Sequence, residues 1–162
     1  VARALIVGCG CSGRALGSEL LEEGWAVRGT SRTAAGLDAI EAAGIEPVRA
    51  DPEQPGTILE LVDDVAILIW LLGSATGESV PAIHGPRLES LLERLVETPV
   101  RGFLYEGAGT VDAALLAGGA ELARNAENTW RIPVTVTETR REHGPAWVEE
   151  LETAVVELIA RR

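Results

Sequence analysis

Apolar runs rich in valine and isoleucine alternate along this chain with segments whose apolar residues return every third or fourth position. These are the signatures of buried strands and of amphipathic helices. The runs ARALIVG (2–8), WAVRGTS (25–31), EPVRAD (46–51), VAILIWLLG (65–73), VRGFLYEG (100–107) and IPVTVTE (132–138) predict six strands. SGRALGSELLEEG (12–24), AAGLDAIEAAG (34–44), EQPGTILELVD (53–63), GPRLESLLERLVE (85–97), DAALLAGGAELARNAENTW (112–130) and PAWVEELETAVVELIARR (145–162) predict a helix after each. Gly24 and Gly44 close the first two helices, and Pro52 and Pro55 lead into the third. VAILIWLLG is the most apolar stretch, as a central parallel strand covered on both faces requires. Six strand–helix units with right-handed crossovers imply an α/β fold, a doubly wound parallel six-stranded sheet of order 3-2-1-4-5-6 with helices on both faces. No repeat or linker interrupts the pattern, so the expectation is one domain over residues 1–162, with no length left for a separate substrate domain.

Composition narrows the classes of function. The net charge of −11, with acids scattered along the predicted helices, disfavours a nucleic-acid partner, which needs a basic face. No apolar run reaches the roughly 20 residues of a membrane span, and the first apolar run leads into glycines rather than a signal-type cleavage site. A cytoplasmic protein with no membrane partner is the expectation. Cys9 and Cys11 have no matching histidine or cysteine cluster for zinc and are poorly spaced for a disulfide, so they read as small residues packed around a turn. All fourteen basic residues are arginine. Mechanisms that use a lysine of this chain as base or Schiff-base amine are therefore excluded.

The first strand runs into GCGCSG, a glycine pattern placed between a strand and a helix. In that setting Gly8 permits a tight turn, Gly10 lets the backbone approach a pyrophosphate, and Gly13 lets the helix pack closely on the strand. Cys11 and Ser12 complete the loop, where the helix presents unpaired N–H groups and its positive dipole end to phosphates. Gly17 extends the small-residue stripe by a turn. The end of the second strand selects the dinucleotide. An NAD site usually has an acid there for the ribose hydroxyls, whereas this chain has GTSR. Arg32 can pair with a 2′-phosphate and Thr30 and Ser31 can donate hydrogen bonds, so NADP is expected over NAD.

On LIVGCGCSGRALGSELLEEGWAVRGTSR, GIEPVRADPEQPGTI and VRGFLYEGAGTVD, the chain resembles the short-chain dehydrogenase/reductase superfamily, in its extended or atypical NAD-dependent epimerase/dehydratase-like branch. The resemblance implies that Asp51 contacts the adenine amino group. It also implies that Trp70, Leu71, Leu72 and Gly73 line the ribose and nicotinamide side of the cofactor. Two features depart from the family. The turn after the fifth strand reads YEGAGT, leaving Thr110 as the nearby hydroxyl, and the next helix has neither tyrosine nor lysine, so the family's Tyr-x-x-x-Lys relay does not carry over. The segment after the sixth strand is TRREHGP and one helix, short of the walls a sugar-nucleotide pocket needs.

The remaining polar groups read mostly as structure. Tyr105, inside the fifth strand, is expected in the core with its hydroxyl on backbone. Glu106 and Glu138 end strands five and six and are expected as solvated loop acids, each having the alternative of a general base in the ligand crevice. His84, His143, Arg140 and Arg141 are expected as polar loop residues, the two arginines having the alternative of closing over phosphates from the sixth-strand loop, and Trp25, Trp130 and Trp147 as core or interface. Two functions stay open. One is an NADP(H)-dependent oxidoreductase or epimerase-like protein whose proton donor is water, Glu106, Thr110 or a partner. The other is a non-catalytic dinucleotide-binding sensor or subunit. The fourth and fifth helices are candidates for pairing in a homodimer.

Overall fold

A computed structural model describes residues 1–161 of the chain. The strands are β1 (Arg3–Val7), β2 (Ala26–Ser31), β3 (Glu46–Arg49), β4 (Ile67–Trp70), β5 (Gly102–Glu106) and β6 (Val134–Thr137). All pair in parallel in the order β3-β2-β1-β4-β5-β6, the order expected from the sequence. The helices are α1 (Cys11–Glu22), α2 (Ala34–Ala42), α3 (Pro55–Leu59), α4 (Val80–Ile83), α5 (Pro86–Leu95), α6 (Ala113–Trp130) and α7 (Pro145–Ala160). The third helix is a single turn or so rather than the full segment 53–63. The polar loop after β4 holds the short α4, and the loop after β6 holds a 3-10 turn at Arg141–His143, neither of which the apolar pattern signals.

Strand alternation divides the interior into two layers. Ala4, Ile6, Ile67, Ile69 and Leu104 face α1, α2 and α7, where Leu16, Leu20, Ile40, Trp147 and Leu151 complete one core. Leu5, Val7, Leu68, Trp70, Phe103 and Tyr105 face the opposite way, onto α3, α5 and α6. Adjacent residues of a strand therefore enter different cores. Tyr105 and Glu106 are such a pair, which decides what each meets.

Two glycines set how closely α1 approaches the sheet. A Cβ on Gly17 would lie 2.5 Å from Cδ1 of Ile45, and one on Gly13 would lie 3.2 Å from the carbonyl oxygen of Gly8. Side chains at these points would lift the helix away from β1 and with it the loop that joins them.

Candidate functional site

In an open parallel sheet, the crevice forms where crossovers leave a central strand in opposite directions. Here β1 has β2 on one side and β4 on the other, so that point lies above Val7. The glycine loop occupies it. Gly8 has φ +85°, and a Cβ there would come 2.4 Å from the carbonyl oxygen of Leu71, so the turn tolerates only glycine. Gly10 is different: it is extended, and a Cβ on it would meet no protein atom within 4 Å. Protein packing does not demand glycine at position 10; its bare backbone keeps the crevice floor open.

Gly10 caps α1 without a side-chain hydrogen bond, and no acid stands in the first turn. The N–H groups at the head of α1 are left for another partner. The crevice holds about 290 Å³ and is lined by Gly8, Cys9 and Gly10 of the loop, Thr30, Ser31 and Arg32 of the β2 end, Ala50 and Pro52 after β3, and Leu71, Ser74 and Ala75 after β4. Gly36 of α2, Arg14 and Arg141 complete it. In a protein of net charge −11, three guanidinium groups gather at one concave site. The side chains of Arg14 and Arg32 have no ion pair among the described residues.

The expected site residues divide accordingly. Gly8, Gly10, Thr30, Ser31, Arg32 and Leu71 line the crevice together. Gly13 is buried beneath it as a packing glycine. Cys11 and Ser12 face a second cavity, between α1 and α7. Asp51 is half-buried and turns back on its own loop, its Oδ1 accepting from the N–H of Glu53, while its neighbours Ala50 and Pro52 line the crevice. Trp70 is a correction. Its side chain is fully buried in the α3/α5/α6 layer, and Nε1 donates to the carbonyl oxygen of Ile83, so no face is left for a ligand. Leu72 packs in the same layer, and the N–H of Gly73 is committed to Glu106. The buried Cys9 packs against Gly29 as a small residue of the turn; burial pushes its thiol up to about 12, against a lowering by the nearby charge of Arg14.

The structure overturns the solvated reading of three polar residues. Glu106 is completely buried. Its Oε1 accepts from the N–H of Gly73 and from Nη2 of Arg141, both at 2.8 Å, and its Oε2 accepts from Nε of Arg141 at 2.8 Å. Arg141 also donates to the carbonyl oxygen of Leu71 and sits 5.7 Å from the centre of the Trp147 ring. His84 is buried as well, Nε2 lying 2.8 Å from the carbonyl oxygen of Leu72 and Nδ1 2.6 Å from the hydroxyl of Tyr105. A carbonyl only accepts, so Nε2 carries the proton and Nδ1 accepts from Tyr105. Tyr105 is in the core as expected, with a side chain rather than backbone as its partner. Burial holds His84 below its ordinary value, opposed by the Leu72 carbonyl and the charge of Glu106. Burial and the charge of Glu106 raise the Tyr105 hydroxyl well above its ordinary value.

The loops above β4 and β5 are knitted together. The N–H of Val111 donates to the carbonyl oxygen of Gly73, the N–H of Thr110 to Oγ of Ser74, and Nη1 of Arg140 to the carbonyl oxygen of Gly109. The sequence shows the glycines of these loops. It carries no signal for Arg14, one turn into α1, or for the pairing of Arg141 with a carboxylate 35 residues away.

The architecture is a Rossmann fold in the form seen in short-chain dehydrogenase/reductase structures. Among solved structures the chain is similar to Pen from Bacillus thuringiensis (TM-score 0.69, 14% identity, 86% of this chain and 50% of that one). It is similar also to a short-chain dehydrogenase/reductase superfamily protein from Agrobacterium tumefaciens with bound NAD (0.66, 18%, 83% and 48%). A third is the Citrobacter sp. triphenylmethane reductase complexed with NADP(H) (0.62, 15%, 82% and 48%). The chain spans about half the length of each. No protein-family model and no curated protein matches the sequence. Among the described residues, no helix is long and apolar enough to cross a membrane.

Proposed function

We propose that the protein binds a nicotinamide dinucleotide, NADP(H) in preference to NAD(H), across the crevice above β1. The observation that carries this is the pairing of a bare Gly10, at a helix N-terminus with no side-chain cap, with Arg14 and Arg32, whose guanidinium groups have no ion pair among the described residues. Free N–H groups and open backbone suit a diphosphate. Arg32, beside Thr30 and Ser31 at the end of β2, is placed for a 2′-phosphate, and Arg pairs with phosphate through two parallel hydrogen bonds. Two similar structures carry NAD and NADP(H) respectively, which supports a dinucleotide without choosing between them. When bound, the cofactor would supply the hydride; the chain's own groups would bind and orient it.

A second reading, a dinucleotide sensor or subunit, is favoured by the state of the groups nearest the crevice. Both oxygens of Glu106 are taken by Arg141 and the N–H of Gly73, and the Tyr105 hydroxyl is turned into the other core. Neither is free to move a proton into the crevice, which leaves the exposed Thr110, water or a partner as proton donor in the oxidoreductase reading.

Titration of the purified protein with NADPH and NADH tests the ligand. Arg32→Ala is expected to weaken NADPH by about 10-fold or more, each factor of ten being 1.4 kcal/mol, and to leave NADH unchanged. Equal affinities for the two coenzymes in the unmodified protein would sink the NADP assignment. Tight binding without turnover of small carbonyl compounds would move the reading to the sensor.

A further inference from the structure

Arg14 occupies a place that its own helix disfavours. It stands at the end of the first turn of α1, where the macrodipole is positive and a cation costs stability. The chain has 25 acids, and Arg3, Arg28, Arg140, Arg141 and Arg161 each pair with one of them. Arg14 and Arg32 have no such partner among the described residues, although Arg14 is half-buried. The fold thus holds a guanidinium group against the dipole and without a counter-charge, an arrangement relieved by an anion from outside the chain.

The flank on which Arg14 lies tells which part of a ligand it meets. Ser12, Ala15 and Glu19 line the groove between α1 and α7, whose wall Arg141 shares with the crevice. Arg14 is on the opposite flank, about two turns from Leu21 and in line with it. Leu21 reaches the end of α2: a Cβ on Gly44 would lie 3.8 Å from its Cδ1. Arg14 therefore faces the side of the crevice lined by Thr30, Ser31 and Arg32. Its charge also acts on the thiol of Cys9, which packs against Gly29 of β2.

At this end of the crevice the backbone has little to offer an anion. The head of α2 is capped, Oγ1 of Thr33 accepting from the N–H of Gly36. A Cβ on Gly36 would fall 2.0 Å from Oγ of Ser31, so α2 closes directly onto the end of β2. Oγ of Ser31 accepts from the N–H of Thr33, which leaves its hydroxyl proton to donate. Arg49 of β3 donates to the carbonyl oxygen of Arg32 and so fixes the backbone from which the Arg32 side chain extends. Side chains, chiefly the two guanidinium groups, are the donors here.

We propose that Arg14 and Arg32 close on the 2′-phosphate of the adenosine ribose from two sides, which makes Arg14 a second specificity-determining residue for NADP(H). This assignment rests on the dinucleotide reading above. A phosphate monoester carries a charge of about −2 at neutral pH and suits two guanidinium groups, whereas the ribose hydroxyls of NAD(H) offer neither of them an anion. The preference for the phosphorylated coenzyme is divided between α1 and the end of β2, so removing one arginine lowers it and removing both abolishes it.

The test is calorimetric titration with NADPH, NADH, adenosine 2′,5′-bisphosphate and AMP, on the unmodified chain, Arg14→Gln, Arg32→Ala and the double variant. Arg14→Gln is expected to weaken NADPH and adenosine 2′,5′-bisphosphate by about 10-fold or more and to change NADH and AMP by less than about 3-fold. The double variant is expected to bind NADPH no more tightly than NADH. Arg14→Gln should also melt at or above the temperature of the unmodified protein, because a cation has left the positive end of α1. Weakening of NADPH and NADH by the same factor would assign Arg14 to the diphosphate and overturn the proposal while the dinucleotide reading stands. Unchanged NADPH affinity in Arg14→Gln would overturn it in the same way. No binding of either coenzyme to the unmodified chain would sink the assignment and the dinucleotide reading together.

Discussion

The guanidinium of Arg141 grips the buried carboxylate of Glu106 through Nε and Nη2, both at 2.8 Å, and this ion pair ties the loop after β6 to the end of β5. The pair also holds the wall shared by the crevice and the groove. Arg141→Ala leaves a buried carboxylate with the N–H of Gly73 as its one remaining partner among the described residues, and breaking such a pair costs about 3 kcal/mol or more. Urea unfolding should show a lower midpoint for Arg141→Ala. The double variant Glu106→Leu/Arg141→Ala should recover part of the loss, because no isolated charge is then buried. A double variant no more stable than Arg141→Ala would refute this account of the pair.

Two neighbouring glycines of α6 should respond with opposite signs. Gly118 is exposed, and a Cβ there meets nothing within 4 Å, so Gly118→Ala should stabilise the helix by roughly 0.5–1 kcal/mol. On Gly119 a Cβ would fall 2.0 Å from the hydroxyl of Tyr105. Gly119→Ala should therefore lower the melting temperature despite its better helix propensity. Equal melting temperatures for the two alanine variants would contradict the packing of Tyr105 against α6.

His84 gives the fold a dependence on pH. Its folded-state pKa lies below the ordinary 6.5, so as pH falls from that value the unfolded chain takes up a proton that the folded chain resists. The His84 contribution to stability is complete above pH 6.5 and declines below it. Unfolding free energies measured from pH 7.5 down to 5 should fall more steeply in the unmodified protein than in His84→Gln. Tyr105→Phe should cost about 1–3 kcal/mol near neutral pH, because Nδ1 of His84 then lies buried without a donor. Parallel pH profiles for the protein and His84→Gln would show that another group carries the dependence.

Gly8 and Gly10 should separate folding from binding. Gly8→Ala strains a positive φ and presses on the Leu71 carbonyl, and should destabilise by about 1–3 kcal/mol. Gly10→Ala meets no protein atom, so its melting temperature should stay close to that of the unmodified protein while NADPH affinity drops. Full NADPH affinity in Gly10→Ala would place the diphosphate elsewhere.

The six strands and the glycine turn could be read along the chain, because hydrophobic period and backbone freedom are local properties, and the strand order followed from the crossover rules of a doubly wound sheet. VAILIWLLG is central because it is apolar throughout, and Gly8 and Gly13 are legible because a turn and a close helix contact each demand a missing side chain. Arg32 was legible too, as the residue that follows a strand already located. Which polar residues are interior depends on contacts made only once the chain has folded. Glu106 and His84 look like loop groups in the sequence, yet each is buried because its partner arrives from a distant element: Arg141 from the turn after β6, and Tyr105 from β5. Trp70 shows the converse, since the strand position that suggested a ligand contact turned its ring into the α5 and α6 layer. Strand period fixes which face a side chain takes, but whether a charge there can be buried depends on a counter-charge that only the folded chain supplies.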